Sequence, residues 1–146
     1  MRKKEESMPD DGLVTIRSAH SARDTIARVE AELDAKGVTV FAKIDHAAGA
    51  SAAGLPLRPT TLLIFGGARA GTPLMQDNQR VGIDLPLKAL VWEDGLGSVW
   101  LTYNDPAWIA QRHALDAPSE PLVQAMSAML AAVARNATEA GPDSRE

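Results

Sequence analysis

The run Thr60-Thr61-Leu62-Leu63-Ile64-Phe65 is apolar on both of its alternating faces. A strand of that kind belongs at the centre of a sheet, with neighbours on each side and cover on its faces, so it commits the rest of the chain to building that sheet. Leu87 to Trp92 and Ser98 to Tyr103 read as two further strands, and Asp94-Gly95-Leu96-Gly97 between them predicts a tight hairpin. Gly12 to Ser18 alternates Leu13, Thr15 and Arg17 with Val14 and Ile16, a half-buried strand pattern. Val38 to Ile44 sets Val38, Val40, Ala42 and Ile44 on one face and Thr39, Phe41 and Lys43 on the other.

Helical signals flank these strands. Ser21 can cap a helix whose stripe Ala22, Ile26, Val29, Leu33 keeps the 3.6-residue period and which Gly37 ends. Ala47 to Gly54 is a patch of small residues that reads, with Pro56, as a loop. From Gly66 to Pro86 runs a connection rich in turn formers, in which Thr72-Pro73 predicts the start of a short helix. Asp105-Pro106 opens another short helix toward Leu115, and a last one begins near Ser119 with Leu122, Met126, Met129, Leu130 and Val133 on its stripe. The order β-α-β-β-β-β-α predicts an α+β fold, a mainly antiparallel sheet with helices packed on one face.

A chain of 146 residues has the length of one domain and can bury roughly 70% of its unfolded surface. We expect a single domain over residues 12–136, with disordered tails at 1–11 and 137–146, the latter holding Gly141 and Pro142. The hydrophobic fraction of 45% and charged fraction of 23% exclude a wholly disordered, collagenous or coiled-coil chain. Cysteine is absent, which excludes disulfides, thiol catalysis and cysteine-held metals. The net charge of −4 argues against nucleic acid as a partner, because that surface needs clustered Lys and Arg. No apolar run approaches the ~20 residues of a membrane span, and polar residues follow the basic start Arg2-Lys3-Lys4 where a signal peptide needs its apolar stretch. The expectation is a soluble, cytoplasmic protein that does not enter a membrane.

Residues with chemical potential are few. His46 follows Asp45 where the second strand ends, a position from which imidazole can act as acid, base or ligand. His20, His46 and His113 show no HxH or HxxxH spacing, so no metal site is assigned. Phe65-Gly66-Gly67-Ala68-Arg69-Ala70-Gly71-Thr72 looks superficially like a phosphate cradle, but it lacks the lysine after its last glycine and does not fit GxGxxG; no cofactor is expected. Asp84 precedes a strand, and Tyr103 ends one, beside a helix that Asp105 can cap. Trp92 and Trp100 flank the hairpin, and large aromatics on strands most often pack a sheet face. The candidate ligand-binding residues are His46, Thr72, Asp84 and Tyr103; no catalytic residue is assigned.

The stretches Ile44-Asp45-His46-Ala47, Leu57-Arg58-Pro59-Thr60, Leu63-Ile64-Phe65-Gly66, Ala70-Gly71-Thr72-Pro73-Leu74-Met75, Ile83-Asp84-Leu85-Pro86-Leu87-Lys88 and Tyr103-Asn104-Asp105-Pro106, in that order, resemble the bacterial family called domain of unknown function 302. The resemblance covers roughly Gly12 to Ala134. Gly67-Ala68 stands where the family pattern commonly has Asn-Pro. The resemblance implies a curved antiparallel sheet similar to the TATA-binding-protein-like topology, and a homodimer; it implies no settled biochemical activity and no DNA binding.

If the central strands form an antiparallel meander, Asp84 and Tyr103 fall at one end of the sheet and His46 at the other. A parallel crossover would instead bring all three together. The expectation is therefore a homodimeric binding or interaction domain for a small ligand, with the Gly66 to Pro86 segment as dimer contact or lid. The alternative is a small-molecule enzyme using His46 as general acid or base, oriented by Asp45 or Asp84.

Overall fold

A computed structural model describes the protein over residues 11–141; the tail positions 1–10 and 142–146 lie outside the described residues. The strands are β1 (Leu13–Ser18), β2 (Thr39–Asp45), β3 (Thr60–Gly66), β4 (Leu87–Glu93) and β5 (Val99–Asn104), and the helices are α1 (Ala22–Ala35), α2 (His46–Ala52), α3 (Ala68–Asp77), α4 (Pro106–Arg112) and α5 (Glu120–Thr138). A 3-10 helix, Gln79–Asp84, links α3 to β4. The five strands form one antiparallel sheet in the order β1-β5-β4-β3-β2. The apolar run that predicts a central strand is β3, paired with β2 and β4.

One face of the sheet carries Leu63, Phe65, Val91 and Leu101, which are buried together with Val29 and Leu33 of α1 and Met126, Leu130 and Val133 of α5. The periodic stripes of both helices are thus the surfaces that cover the sheet. The local signals for α1 and α4 act as expected. Ser21 Oγ accepts from the Asp24 amide at 3.0 Å, and Asp105 Oδ1 accepts from the Ala107 amide at 3.0 Å. At the hairpin, Asp94 accepts from the amides of Leu96 and Ser98 and from the Trp100 indole, which pins the turn.

Four readings of local structure need correction. β2 does not keep a single alternation: its register shifts between Val40, opposite Phe65, and Ala42, opposite Ile64, so Phe41 stands out in a bulge, 56% exposed. The small-residue patch is a helix, α2, because Asp45 Oδ1 accepts from the Ala48 amide at 2.9 Å and starts it. The connection after β3 turns helical at Ala68, four residues before Thr72, and Pro73 lies inside α3. Finally, α5 runs past residue 136 to Thr138, since Ala137 and Thr138 are buried and Arg28 donates to the carbonyls of Asn136 and Ala137. The Thr138 carbonyl also accepts from the Ala19 amide at 2.8 Å.

Candidate functional site

Where β3 ends and β4 begins, the connection does not lie flat on the sheet. Gly66, Gly67 and Gly71 keep side chains away from the space between α3 and α5, and a cleft of about 590 Å³ remains. That volume is in the range of small-molecule sites, ~300–1,000 Å³. Its walls include Phe41 from the β2 bulge, Met75 of α3, Leu85 and Leu87, and Met126 and Met129 of α5. Three of these are methionines, whose unbranched thioether chains adapt to the shape of an apolar guest. The Phe41 bulge, a local irregularity of one edge strand, turns an aromatic ring into the mouth.

Of the four candidate ligand residues, Thr72 lines this cleft and the other three do not. Tyr103 is buried against the helices, and burial, with the Asp105 carboxylate second, pushes its phenol above the ordinary value of 10.0. It therefore stays protonated and packs as a core ring. His46 opens α2, exposed, with no hydrogen-bond partner among the described residues, at the end of the sheet remote from Asp84 and Tyr103. The antiparallel meander thus separates the imidazole from the other two. Asp45, the proposed orienter, spends its carboxylate on the α2 cap.

Asp84 has a partner that sequence reasoning missed. His113, 6% exposed at the end of α4, donates from Nε2 to Asp84 Oδ2 at 2.6 Å, and Arg112 Nη1 approaches the same carboxylate at 3.2 Å. Asn78 Nδ2 donates to the His113 carbonyl at 2.7 Å. This cluster fastens the 3-10 helix to α4, so Asp84 and His113 satisfy one another and are not presented to a guest. A signal existed in the sequence: His113 falls on the stripe of Pro106 and Ile109, the buried face of α4. His20 is likewise engaged, with Nε2 at 2.7 Å from the Glu139 carbonyl. Among the described residues no three His, Asp or Glu side chains converge in a way that could hold a metal ion.

Among the described residues, the opposite face of the sheet carries no such helical cover. Leu62, Ile64, Leu90, Trp92 and Trp100 lie there half-buried, with the two indoles stacked at 6.2 Å between centroids. Trp92 Nε1 donates to Thr102 Oγ1 at 2.9 Å.

A five-stranded antiparallel sheet with helices on one face and an apolar cleft at one end defines a small α+β domain, in which His46, Thr72, Asp84 and Tyr103 do not converge on one site. The particular lineage is clear from comparison: residues 14–133 match the model of the family described as domain of unknown function DUF302, and the chain belongs to that family. Its fold is similar to the crystal structure of an uncharacterised conserved DUF302 protein from Bacillus stearothermophilus, with a TM-score of 0.76 at 20% identity over 86% of this chain and 98% of that one. In sequence it is 55% identical over 120 residues to a protein of Brucella suis biovar 1 named fluoride-specific ion channel FluC 1, covering 82% of this chain and 47% of that protein. It is equally similar to the Brucella melitensis biotype 1 protein named fluoride-specific ion channel FluC 2, covering 82% and 44%. The chain spans about half the length of these curated relatives. Among the described residues no helix is long and apolar enough to cross a membrane.

Proposed function

We propose that this is a homodimeric, cytoplasmic binding domain that takes a small, mainly apolar molecule into the cleft between α3 and α5. The cleft carries the reading: it is concave, lined by adaptable apolar side chains, and bordered by the long connection that the sequence offers as dimer contact or lid. Catalysis by His46 draws no support from an imidazole that is exposed, unpartnered and outside the cleft. The second copy would sit on the uncovered sheet face, where Leu62, Ile64, Leu90 and Trp92 offer contiguous apolar area. Light scattering should find a dimer that Leu90→Arg dissociates.

The decisive test is a thermal-shift screen of apolar small molecules on the chain and on Thr72→Trp, an exposed site where an indole would plug the mouth. A true ligand at a hundredfold excess over its Kd adds about 2.7 kcal/mol. It should raise Tm in the natural chain and not in the plugged one. If nothing raises it, or if the plug changes nothing, the cleft is not a ligand site.

The likeness to the Brucella proteins favours a companion reading in which the domain serves a membrane channel as its accessory. A helical pore needs spans of ~20 apolar residues, and no described helix qualifies. In that reading the pore of the Brucella proteins lies in the half this chain does not match. Removing the matched segment from the Brucella suis protein should leave fluoride flux into vesicles intact; loss of flux from a correctly inserted product would place the segment in the pore and end this reading.

A further inference from the structure

Among the residues lining the cleft, Arg69 is the one ionisable side chain and Thr72 the one hydroxyl. They are three apart on α3, so they flank the same part of the mouth. Both are exposed, and among the described residues no carboxylate pairs with Arg69, although Arg112, Lys36 and Lys43 each have one. The cation thus stands free at the entrance to a chamber whose floor is Met75, Leu87, Met126 and Met129. At the same rim Gly67 precedes α3 as its N-cap and supplies no side-chain acceptor to the first-turn amides. This polarity is one-sided: an apolar interior with a single positive group at its mouth.

We propose that the cleft selects an amphiphilic anion, with its apolar body among the methionines and a single carboxylate or comparable acidic head at Arg69. The inference rests on the cleft being a ligand site and adds the chemistry of the ligand. Guanidinium meets a planar carboxylate with two parallel N–H donors, whereas a neutral hydroxyl head offers it no charge to neutralise. Because the head stays in water, the gain is that of an exposed charged pair, at most about 1 kcal/mol, or roughly fivefold in affinity, and salt should weaken it.

Calorimetric titration of the full chain with decanoic acid and with decanol, below their micelle concentrations and at low ionic strength, tests this. The acid should bind about fivefold more tightly than the alcohol. Arg69→Gln should erase that preference by weakening the acid alone, and Arg69→Lys should restore part of it. Equal binding of acid and alcohol, or an equal loss of both in Arg69→Gln, overturns the head-group assignment while leaving an apolar site in the cleft. If neither probe binds the natural chain, or if Thr72→Trp binds both undiminished, the cleft reading falls together with the inference.

Discussion

At the end of the sheet where β3 passes into α3 and β5 passes into α4, polar side chains meet partners inside the protein: Asp84 with His113 and Arg112, Asn78 with the His113 carbonyl, Asp77 with Ser119. At the other end α2 displays His46 to solvent with its small-residue turns around it. The same residue types thus do opposite things. Where the buried His113 meets the half-buried Asp84, the pair ties the connection down beside the glycine-lined cleft. At the exposed end Asp45 only caps a short helix and His46 faces solvent. The comparison teaches that in this domain polar groups secure the frame; under the proposed function, recognition would fall to apolar walls with one cation at the rim.

The comparison is broken most severely at Gly12, on the secured end. It has φ of +78°, and a Cβ there would lie 2.5 Å from Trp108 Cδ2. The left-handed backbone costs an L side chain about 1–2 kcal/mol and the overlap a further ~1–3 kcal/mol. Gly12→Ala should therefore lower stability by roughly 2–5 kcal/mol in urea unfolding; a loss of only about 1–2 kcal/mol would show that Trp108 swings aside freely and that the backbone strain alone is felt. Next in size, Asp84→Ala leaves the buried His113 without its acceptor and should cost about 1–3 kcal/mol. His46→Ala, by contrast, should stay within about 0.5 kcal/mol, and equal losses for the two would erase the distinction between the ends.

The elements of the frame were legible because each is written in local pattern. β3 announces itself by apolar residues on both faces, the hairpin by Asp94 and its glycines, and α1 and α4 by Ser21 and Asp105 at their starts. The α+β order and the separation of His46 from Asp84 and Tyr103 followed from those strands. What was missed depends on contacts far apart in the chain or on a small backbone irregularity. His113 and Asp84 are 29 positions apart, so no spacing rule joins them, and only the stripe with Pro106 and Ile109 hinted that His113 is buried. The Phe41 bulge shifts a register that alternation alone would keep. The cleft gathers residues from β2, α3, the start of β4 and α5, and of these only Thr72 is a candidate ligand residue in the sequence.

The exposed end can also be improved, which the secured end cannot easily be. Gly49 lies inside α2, and a Cβ added there meets nothing within 4 Å. Glycine costs a helix interior about 0.5–1 kcal/mol relative to alanine. Gly49→Ala should therefore raise stability by up to that amount, measured as a higher urea midpoint. A decrease would mean that the close approach of another chain or ligand, and not open solvent, lies over α2.

The smallest effect asks whether the two ends differ at all in how they hold charge. Asp77, beside the cleft, has its carboxyl kept below the ordinary 3.8 by the Ser119 hydroxyl and the Asp116 amide. Asp94, at the hairpin tip on the opposite end, is kept below 3.8 by the Trp100 indole and the amides of Leu96 and Ser98, with Arg17 adding to it. Each carboxyl is more acidic folded than unfolded, so each stabilises the fold at pH values above the unfolded one, and that contribution is lost as the pH falls through the folded one. The urea midpoint should fall as the pH is lowered from about 5 to about 3, and Asp77→Asn and Asp94→Asn should each flatten that fall. Both groups are solvent-accessible and screened, so added salt should have its larger influence on Asp94, where the Arg17 charge takes part, and less on Asp77, whose shift comes from hydrogen bonds. Variants that fall in parallel with the natural chain would show that neither carboxylate matters to acid unfolding, and that the ends differ in packing alone.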